Sequence, residues 1–203
     1  MSHKLITTLD LMRHGEPVGG RKYRGQLDDP LSEKGWEQMR QAVGENCPWR
    51  MIVSSPLLRC ADFARELAKR HGLPLEIDSR LVELGFGKWE GRTAEELMAK
   101  DPEILVRFHS DPLANAPPGA EPLAAFRSRI LEVWNILHER HSGKHVLVVT
   151  HAGVIRMLVA HVLEMPLQHL FRIQVPNAGI SRIRAEKIGG NLFPQLLFHG
   201  RSL

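Results

Sequence analysis

Hydrophobic and polar positions follow two distinct patterns along this chain. Continuous apolar runs bounded by turn-forming residues predict strands, and apolar residues spaced by three and four predict helices. The predicted strands are 5–12, 51–53, 75–77, 146–149, 180–184 and 192–198. The predicted helices are 32–46, 56–71, 93–100, a short helix that begins at 101–102, 123–137 and 153–164. This alternation predicts an α/β fold, a three-layer α/β/α sandwich with a mostly parallel central sheet.

The order of these elements also predicts where a ligand binds. Sheets of this kind bind ligands at the carboxyl ends of their strands. Two predicted strands end in a histidine that is followed within two residues by glycine, in Arg13-His14-Gly15 and in His151-Ala152-Gly153. The irregular segment 84–91 and the loop 110–122 are expected to shape the same site, because structureless loops of such length are uncommon in compact domains.

The composition is that of an ordinary globular protein and narrows the choice of ligand. The 203 residues are 43% hydrophobic and 25% charged, which predicts one domain covering 1–203. The net charge is +4, and because the basic residues form no long run, no nucleic-acid partner is predicted. A small positive excess suits an anionic small-molecule substrate instead.

The small number of cysteines and the absence of long apolar runs both favour a cytoplasmic location for this protein. Cys47 and Cys60 form no C-x-x-C and are too few for a disulfide framework, which favours a reducing compartment. Residues 1–11 lack the apolar run of a signal peptide, and no stretch approaches the roughly 18 apolar residues that span a membrane. The chain has no P-loop, H-E-x-x-H or zinc-ligand spacing, so neither a metal nor a cofactor is predicted. We predict no membrane partner and allow for a homodimer.

His14 is the first candidate catalyst. Arg13-His14-Gly15 lies where a buried strand gives way to a loop, whereas a second copy of this tripeptide at 70–72 closes a helix, a common place for basic residues and glycine. Successive strand side chains point to opposite faces, so Arg13 and His14 can face one ligand only if the strand breaks. We expect Gly15 to supply that break through unusual backbone angles and to expose backbone amides to an anion.

Further candidates lie at or near other strand ends. His151 precedes Ala152-Gly153, which opens a helix whose free amides and positive dipole end favour an oxyanion. Arg59 lies in the first turns of a helix that follows a strand, where a guanidinium can hold a phosphate bidentately. Glu83 has apolar neighbours, which favour the protonated carboxyl that a general acid needs. Glu90 lies in the same loop, and these residues alone do not choose between the two.

Six segments, in order along nearly the whole chain, resemble the motifs of the histidine phosphatase superfamily, also called the phosphoglycerate mutase-like family. They are 11–16 (LMRHGE), 29–35 (DPLSEKG), 54–59 (SSPLLR), 83 together with 86–91 (FGKWEG), 118–121 (PGAE) and 150–156 (THAGVIR). The resemblance implies a metal-independent phosphatase that forms a phosphohistidine on its nucleophile. It also implies that Glu83, rather than Glu90, is the acid. The implied phosphate pocket, whose members also have catalytic roles, is formed by Arg13, His14, Arg59 and His151.

One position departs from the family pattern. Many members carry an asparagine six residues after the nucleophile, where it helps to bind phosphate, and this chain has Gly20 there. Nearby polar residues that could replace it are Arg21, Lys22, Tyr23, Arg24 and Gln26. Of these we expect Arg24 to bind phosphate.

The resemblance leaves several functions to separate. The chain is shorter than the mutases of the family, which favours a phosphatase that acts on a small-molecule phosphate ester such as alpha-ribazole phosphate. The alternatives are a phosphoglycerate mutase-type phosphotransferase and a non-catalytic module that only binds phosphorylated ligands. In the acid loop, Phe86 and Trp89 either stack on a substrate ring or pack in the core, and core packing is the commoner use of such side chains.

Overall fold

The computed structural model describes residues 5–45 and 47–202. Asn46 and residues 1–4 lie outside the described residues. Asn46 was predicted to end the first helix, and residues 1–4 belong to the segment predicted to lack the apolar run of a signal peptide. Within them, one six-stranded sheet has the order β3-β2-β4-β1-β5-β6. The strands are β1 Leu5–Arg13, β2 Met51–Ser54, β3 Leu75–Ile77, β4 His145–Thr150, β5 Ile180–Ile188 and β6 Asn191–Arg201.

Parallel pairing brings two important strand ends together. β3, β2, β4 and β1 are parallel neighbours, and only β5 and β6 run antiparallel to the strands beside them. The predicted mostly parallel sheet is confirmed. Because β1 and β4 are adjacent at the centre, their carboxyl ends meet at one edge of the sheet, where ligands bind in such folds.

Helices cover both faces of the sheet, as a three-layer sandwich requires. The helices are α1 Glu33–Val43, α2 Leu58–His71, α3 Ala94–Met98, α4 Ile104–Ser110, α5 Leu123–Arg140 and α6 Ala152–Val162. Leu11 and Val148 pack in the core that includes α5 and α6, whereas Met12 and Val149 pack in the core that includes α1 and α2. This split follows from the alternation of side chains along a strand. None of the described helices is long and apolar enough to cross a membrane.

Local signals set some of the helix ends. The Ser32 hydroxyl accepts from the Gly35 amide, so the predicted N-cap of α1 is confirmed. Gly72 ends α2 in the left-handed conformation, with φ 62°. α2 begins at Leu58 rather than at Pro56, because the Leu58 amide donates to the Asp28 carboxylate at 2.6 Å. The short 3-10 turn Leu167–Arg172 was not predicted.

A buried charge network joins the strands below the predicted site. The Asp10 side chain has no exposed surface and accepts hydrogen bonds from Trp49 at 2.8 Å, His145 at 2.9 Å and Arg182 at 2.7 and 2.9 Å. Burial raises the pKa of Asp10, but the hydrogen bonds from Arg182, His145 and Trp49 outweigh it and lower the pKa below its usual value. The network therefore stabilises the fold as long as Asp10 is ionised.

Replacing Asp10 with asparagine is expected to lower the free energy of unfolding at pH 7 by about 3 kcal/mol, because Arg182 then loses its charge partner. The loss should shrink as pH falls through the lowered pKa of Asp10, since the wild-type carboxylate is then protonated too. Urea unfolding at several pH values measures both effects. Asp62→Asn, which breaks an exposed ion pair with Arg65, is the control and should cost less than about 1 kcal/mol. A similar cost for both variants would contradict the prediction.

Candidate active site

The two candidate histidines lie side by side at the carboxyl ends of β1 and β4. Arg13 and Thr150 are paired across these strands, and the His14 amide donates to the Thr150 carbonyl at 3.0 Å. The imidazole rings are 5.2 Å apart, centre to centre, with an angle of 63° between their planes. Both are buried, with 6% of His14 and none of His151 exposed. The predicted meeting of the two strand ends is confirmed.

His14 is held in one tautomer. Its Nδ1 lies 2.7 Å from the Gly15 carbonyl, and because a carbonyl oxygen only accepts, Nδ1 carries the hydrogen. Burial lowers the pKa of His14 well below its usual value, and the charges of Arg13 and Arg59 lower it further. The ring is therefore neutral at pH 7, with the lone pair on Nε2, as a nucleophile requires.

Gly15 has a different role from the one predicted. Its φ is not in the left-handed region, so the strand does not break there through an unusual backbone angle. Instead, a side chain on Gly15 would overlap the Gly35 carbonyl in the first turn of α1. Glycine is required because two backbones approach closely, and this contact fixes the loop that carries His14. The Gly15 amide makes no hydrogen bond within the described part of the chain, so it is available to a ligand.

Two arginines act on His14 through their charge: Arg59, which is buried, and Arg13, which is half-buried. Arg13 donates from Nη1 to the Val175 carbonyl at 2.6 Å, and Arg59 donates to the Leu27 and Gly25 carbonyls at 2.5 and 2.8 Å. Neither has an ion pair among the described residues, and the Nε of each is buried without a partner. Burial lowers the pKa of Arg13 to about 10. No cluster of three or more His, Cys, Asp or Glu in the described residues could hold a metal ion.

Ser55 orients the second histidine. Its hydroxyl lies 2.7 Å from the His151 Nε2, and the Cys60 thiol lies 3.7 Å from the same nitrogen. Burial lowers the pKa of His151 well below its usual value, and the charges of Arg59 and His14 add to the effect. His151 is thus a neutral group that can donate one hydrogen bond. The sequence analysis assigned no role to Ser55, although its place directly after β2, at the same sheet edge, could have indicated one.

Glu83 caps the helix that follows His151. Its carboxylate is only 9% exposed and accepts from the Gly153 amide at 3.1 and 3.2 Å and from the Leu84 amide at 2.9 Å. A side chain on Gly153 would overlap this carboxylate, so the glycine makes room for the proposed acid. The helix N-terminus predicted to bind phosphate through Ala152 and Gly153 therefore holds a carboxylate at Gly153, because the dipole favours either anion.

Arg129 and Glu121 fix the backbone on either side of Glu83. Arg129 donates to the Val82 carbonyl at 2.8 Å and to the Glu83 carbonyl at 3.1 Å. It also forms a bidentate pair with Glu121, at 2.7 and 2.8 Å, and Glu121 accepts from the Gly85 amide at 3.3 Å. This pair explains the place of the 118–121 segment, and the sequence analysis did not identify Arg129.

Glu90, the rival acid, connects two loops. One of its oxygens accepts from the Phe86 amide at 3.0 Å and from the Gln26 amide at 3.2 Å. A side chain on Gly25 would overlap this carboxylate. Both contacts are structural, and they join the acid loop to the loop that lies over Arg59.

Arg24 is used mainly by its own loop. Its Nε donates to Asp29 at 2.9 Å, and its Nη2 donates to the Val18 and Gly20 carbonyls at 2.6 Å each. A loop without helix or strand has backbone carbonyls that no neighbouring amide satisfies, and Arg24 supplies donors for two of them. Only Nη1 is left for the phosphate contact predicted for Arg24, although the charge of Arg24 does lower the pKa of His14 after burial, Arg13 and Arg59.

The aromatic residues of the acid loop pack against one another. Trp89 is 4% exposed, and its ring lies 5.1 Å from Phe108 and 5.3 Å from Tyr23. Phe86 lies 5.3 Å from Tyr23 and 6.3 Å from Phe108. Core packing, rather than a free stacking surface, is confirmed for Trp89. The cluster also fixes the position of the Tyr23 ring.

Comparison with known proteins identifies one family whose members share these motifs. The model of the histidine phosphatase superfamily (branch 1) matches residues 9–192. The chain belongs to this superfamily. This histidine phosphatase is 32% identical to phosphoserine phosphatase 1 of Hydrogenobacter thermophilus, over 90% of this chain and 88% of the relative. It is 30% identical to the adenosylcobalamin/alpha-ribazole phosphatase of Escherichia coli, over 81% of this chain and 83% of the relative. The resemblance inferred from the six segments is confirmed.

Other members are longer or have solved structures. The histidine phosphatase is 34% identical to a bifunctional protein of Mycobacterium tuberculosis over 86% of this chain, but it spans only 49%, about half, of that relative. The native structure of mycobacterial glucosyl-3-phosphoglycerate phosphatase matches with a TM-score of 0.86 and 28% identity, over 97% of this chain and 100% of the other. The phosphoglycerate mutase-like fold is confirmed.

Proposed function

We propose that this histidine phosphatase hydrolyses phosphate monoesters, without a metal ion, through a phosphohistidine on His14. The observation that carries the proposal is a neutral, buried imidazole next to the buried Arg59 and the half-buried Arg13, whose Nε atoms are buried without a partner and which form no ion pair among the described residues. A buried cation without a counter-ion is costly. A phosphate dianion supplies the missing charge and places its phosphorus within reach of Nε2.

In the first step, the Nε2 lone pair attacks phosphorus and the bond to the ester oxygen breaks. Negative charge on the equatorial oxygens faces Arg13, Arg59 and His151, which is where most of the catalytic stabilisation in phosphoryl transfer arises. The Nδ1–H bond to the Gly15 carbonyl stabilises the positive charge that develops on the ring. Glu83, in its protonated form, gives its proton to the leaving oxygen.

In the second step, water attacks the phosphohistidine. Glu83, now ionised, takes a proton from the water, and phosphate leaves as His14 returns to its neutral state. The hydrogen bonds from the Gly153 and Leu84 amides stabilise the ionised form of Glu83. Arg129, which is paired with Glu121, donates to the Glu83 carbonyl and keeps this backbone in place between the steps.

We propose a small-molecule ester as the substrate. The names of the relatives refer to phosphoserine, alpha-ribazole and glucosyl-3-phosphoglycerate phosphatases, so alpha-ribazole phosphate is one candidate among several. A single domain covering 1–203, a cytoplasmic location and a homodimer stay predictions.

The test is phosphate release from a panel of esters that includes p-nitrophenyl phosphate, alpha-ribazole phosphate, phosphoserine and 3-phosphoglycerate. We expect hydrolysis with release of inorganic phosphate, unchanged by EDTA, because the two arginines neutralise the charge that a metal would otherwise neutralise and His151 adds a hydrogen bond. Strong inhibition by EDTA would contradict the metal-free scheme. Retention of phosphate with a requirement for a bisphosphorylated primer would instead identify a mutase, and binding without turnover would identify a non-catalytic module.

A further inference from the structure

Arg156 is a fixed cation in α6 that the proposed chemistry does not use. Its Nε donates to the Ile173 carbonyl at 2.8 Å, and its guanidinium lies 5.4 Å from the centre of the Phe171 ring. Two residues further along, the Val175 carbonyl accepts from Arg13. One short segment, Ile173 to Val175, therefore holds both Arg156 and a proposed phosphate ligand in fixed positions.

The charge of Arg156 acts on the side of the site where the leaving group would depart. Burial lowers the pKa of Arg156, and the Glu83 carboxylate raises it. In turn, the charge of Arg156 acts together with burial to lower the pKa of Arg13 and that of His109. Arg156 lies one helical turn after Gly153, whose amide binds the Glu83 carboxylate, so it is on the side of the proposed acid. Its guanidinium lies on the Phe171 ring, and Phe171 packs in the same aromatic cluster as Tyr23.

The outer guanidinium nitrogens of Arg156 and the Tyr23 hydroxyl are not used by the described part of the chain. Neither Nη1 nor Nη2 of Arg156 makes a hydrogen bond or ion pair within residues 5–45 and 47–202. The Tyr23 hydroxyl makes no hydrogen bond to those residues either, although its ring is fixed by Phe86 and Trp89. Two parallel N–H groups on a rigid guanidinium match the two oxygens of a carboxylate.

We propose that Arg156, assisted by the Tyr23 hydroxyl, binds a carboxylate on the leaving group, so that the enzyme prefers phosphate esters of hydroxy acids. The inference rests on the proposed phosphatase activity and adds a substrate class to it. Arg156 is a specificity residue in this scheme, since it contacts a part of the substrate that does not react. A neutral or cationic leaving group leaves the guanidinium without a partner.

Two matched pairs of esters test the proposal in the full chain. Phosphoserine differs from phosphoethanolamine only by its carboxylate, and 3-phosphoglycerate carries a carboxylate where glycerol 1-phosphate has a hydroxymethyl group. The wild type should favour the carboxylate-bearing member of each pair by about tenfold or more in kcat/KM, the scale of a charge-assisted hydrogen bond. Arg156→Gln should abolish that preference, mainly through a higher KM for the carboxylate-bearing ester. Arg156→Lys, which keeps the charge but loses the two parallel donors, should retain part of it.

Arg127→Gln provides the control, because it removes one positive charge from an exposed position on α5 and should leave both ratios unchanged. If the wild type hydrolyses both members of each pair equally well, the inference is overturned and the phosphatase activity is not. This comparison uses the wild type alone, so it does not depend on whether a variant folds. An equal loss for both members in Arg156→Gln would show that Arg156 serves the phosphate or the fold instead. Failure of the wild type to release phosphate from any ester would reject the proposed function itself.

Discussion

Replacing His14 with alanine is expected to lower kcat by about 10,000-fold or more, because the variant has no group that can bond to phosphorus. Only one nitrogen of His14 can attack, because Nδ1 donates to the Gly15 carbonyl and Nε2 of this neutral ring carries the lone pair. Steady-state release of p-nitrophenol measures the loss. Rapid quenching should also show an acid-labile, base-stable phosphoryl label on the wild type and none on the variant.

The chain contains a matched control for this substitution. Arg70-His71-Gly72 repeats the tripeptide at the end of α2, where it closes a helix. His71→Ala should therefore keep the wild-type kcat and the wild-type label. If His14→Ala, with an unchanged melting temperature, retained as much as a tenth of the activity, the nucleophile would have to be another residue.

Replacing Glu83 with glutamine is expected to slow hydrolysis by about 100- to 10,000-fold for esters with poor leaving groups, because glutamine cannot donate the required proton. The loss should be much smaller for p-nitrophenyl phosphate, whose leaving oxygen departs without protonation. The amide oxygen of glutamine can still accept from Gly153 and Leu84, so the local fold should be retained. A plot of kcat/KM against the leaving-group pKa measures the effect as a steeper slope.

Glu90→Gln is the matched control, since it makes the same change in the same loop. One oxygen of Glu90 accepts from both the Phe86 and the Gln26 amides, and the amide oxygen of glutamine can do the same, so the fold should be retained and all esters should be affected equally and little. A slope that steepened in Glu90→Gln and not in Glu83→Gln would reverse the assignment of the acid.

The strands and the strand-end histidines could be predicted because their signals are local. Apolar runs and glycine breaks indicated that β1 ends near His14 and β4 near His151, and both strands extend only a residue or two beyond the predicted bounds. The strand order is not local. That β4 lies between β2 and β1 depends on pairing between residues 95 apart in β2 and β4 and 137 apart in β1 and β4. The rule that ligands bind at strand ends, together with the resemblance, implied that the two histidines meet.

The errors arose where a distant segment decides the role of a residue. Gly15 was expected to adopt an unusual backbone angle, but the approach of Gly35 is what excludes a side chain there. The phosphate contact expected of Arg24 stays a prediction, because its Nε and Nη2 bind Asp29 and two carbonyls of its own loop and only Nη1 is left for a ligand. The Gly153 amide was expected to bind an oxyanion, and in the structure it binds Glu83 from a loop 70 residues away.

The residues that sequence reasoning missed act through tertiary contacts. Arg129 lies among the polar positions of an ordinary amphipathic helix, and nothing in its neighbourhood along the chain shows that it reaches the backbone of Glu83. Arg156 was noted only as part of a motif, because only the folded chain shows that its Nη1 and Nη2 have no hydrogen-bond partner among residues 5–45 and 47–202. A role for Ser55 in the site could have been predicted, because this residue directly follows a buried strand.

Arg13 and Arg59 also affect the protein when no substrate is present. Packing like charges close together costs Coulomb energy, so we expect the candidate site to be a weak point of the ligand-free fold. Orthophosphate bound between the two arginines would relieve this repulsion, and by mass action it would raise the melting temperature of the folded chain. In the proposed reaction the product would then be both a stabiliser and a competitive inhibitor, so phosphate buffer would protect the protein and lower its measured rate.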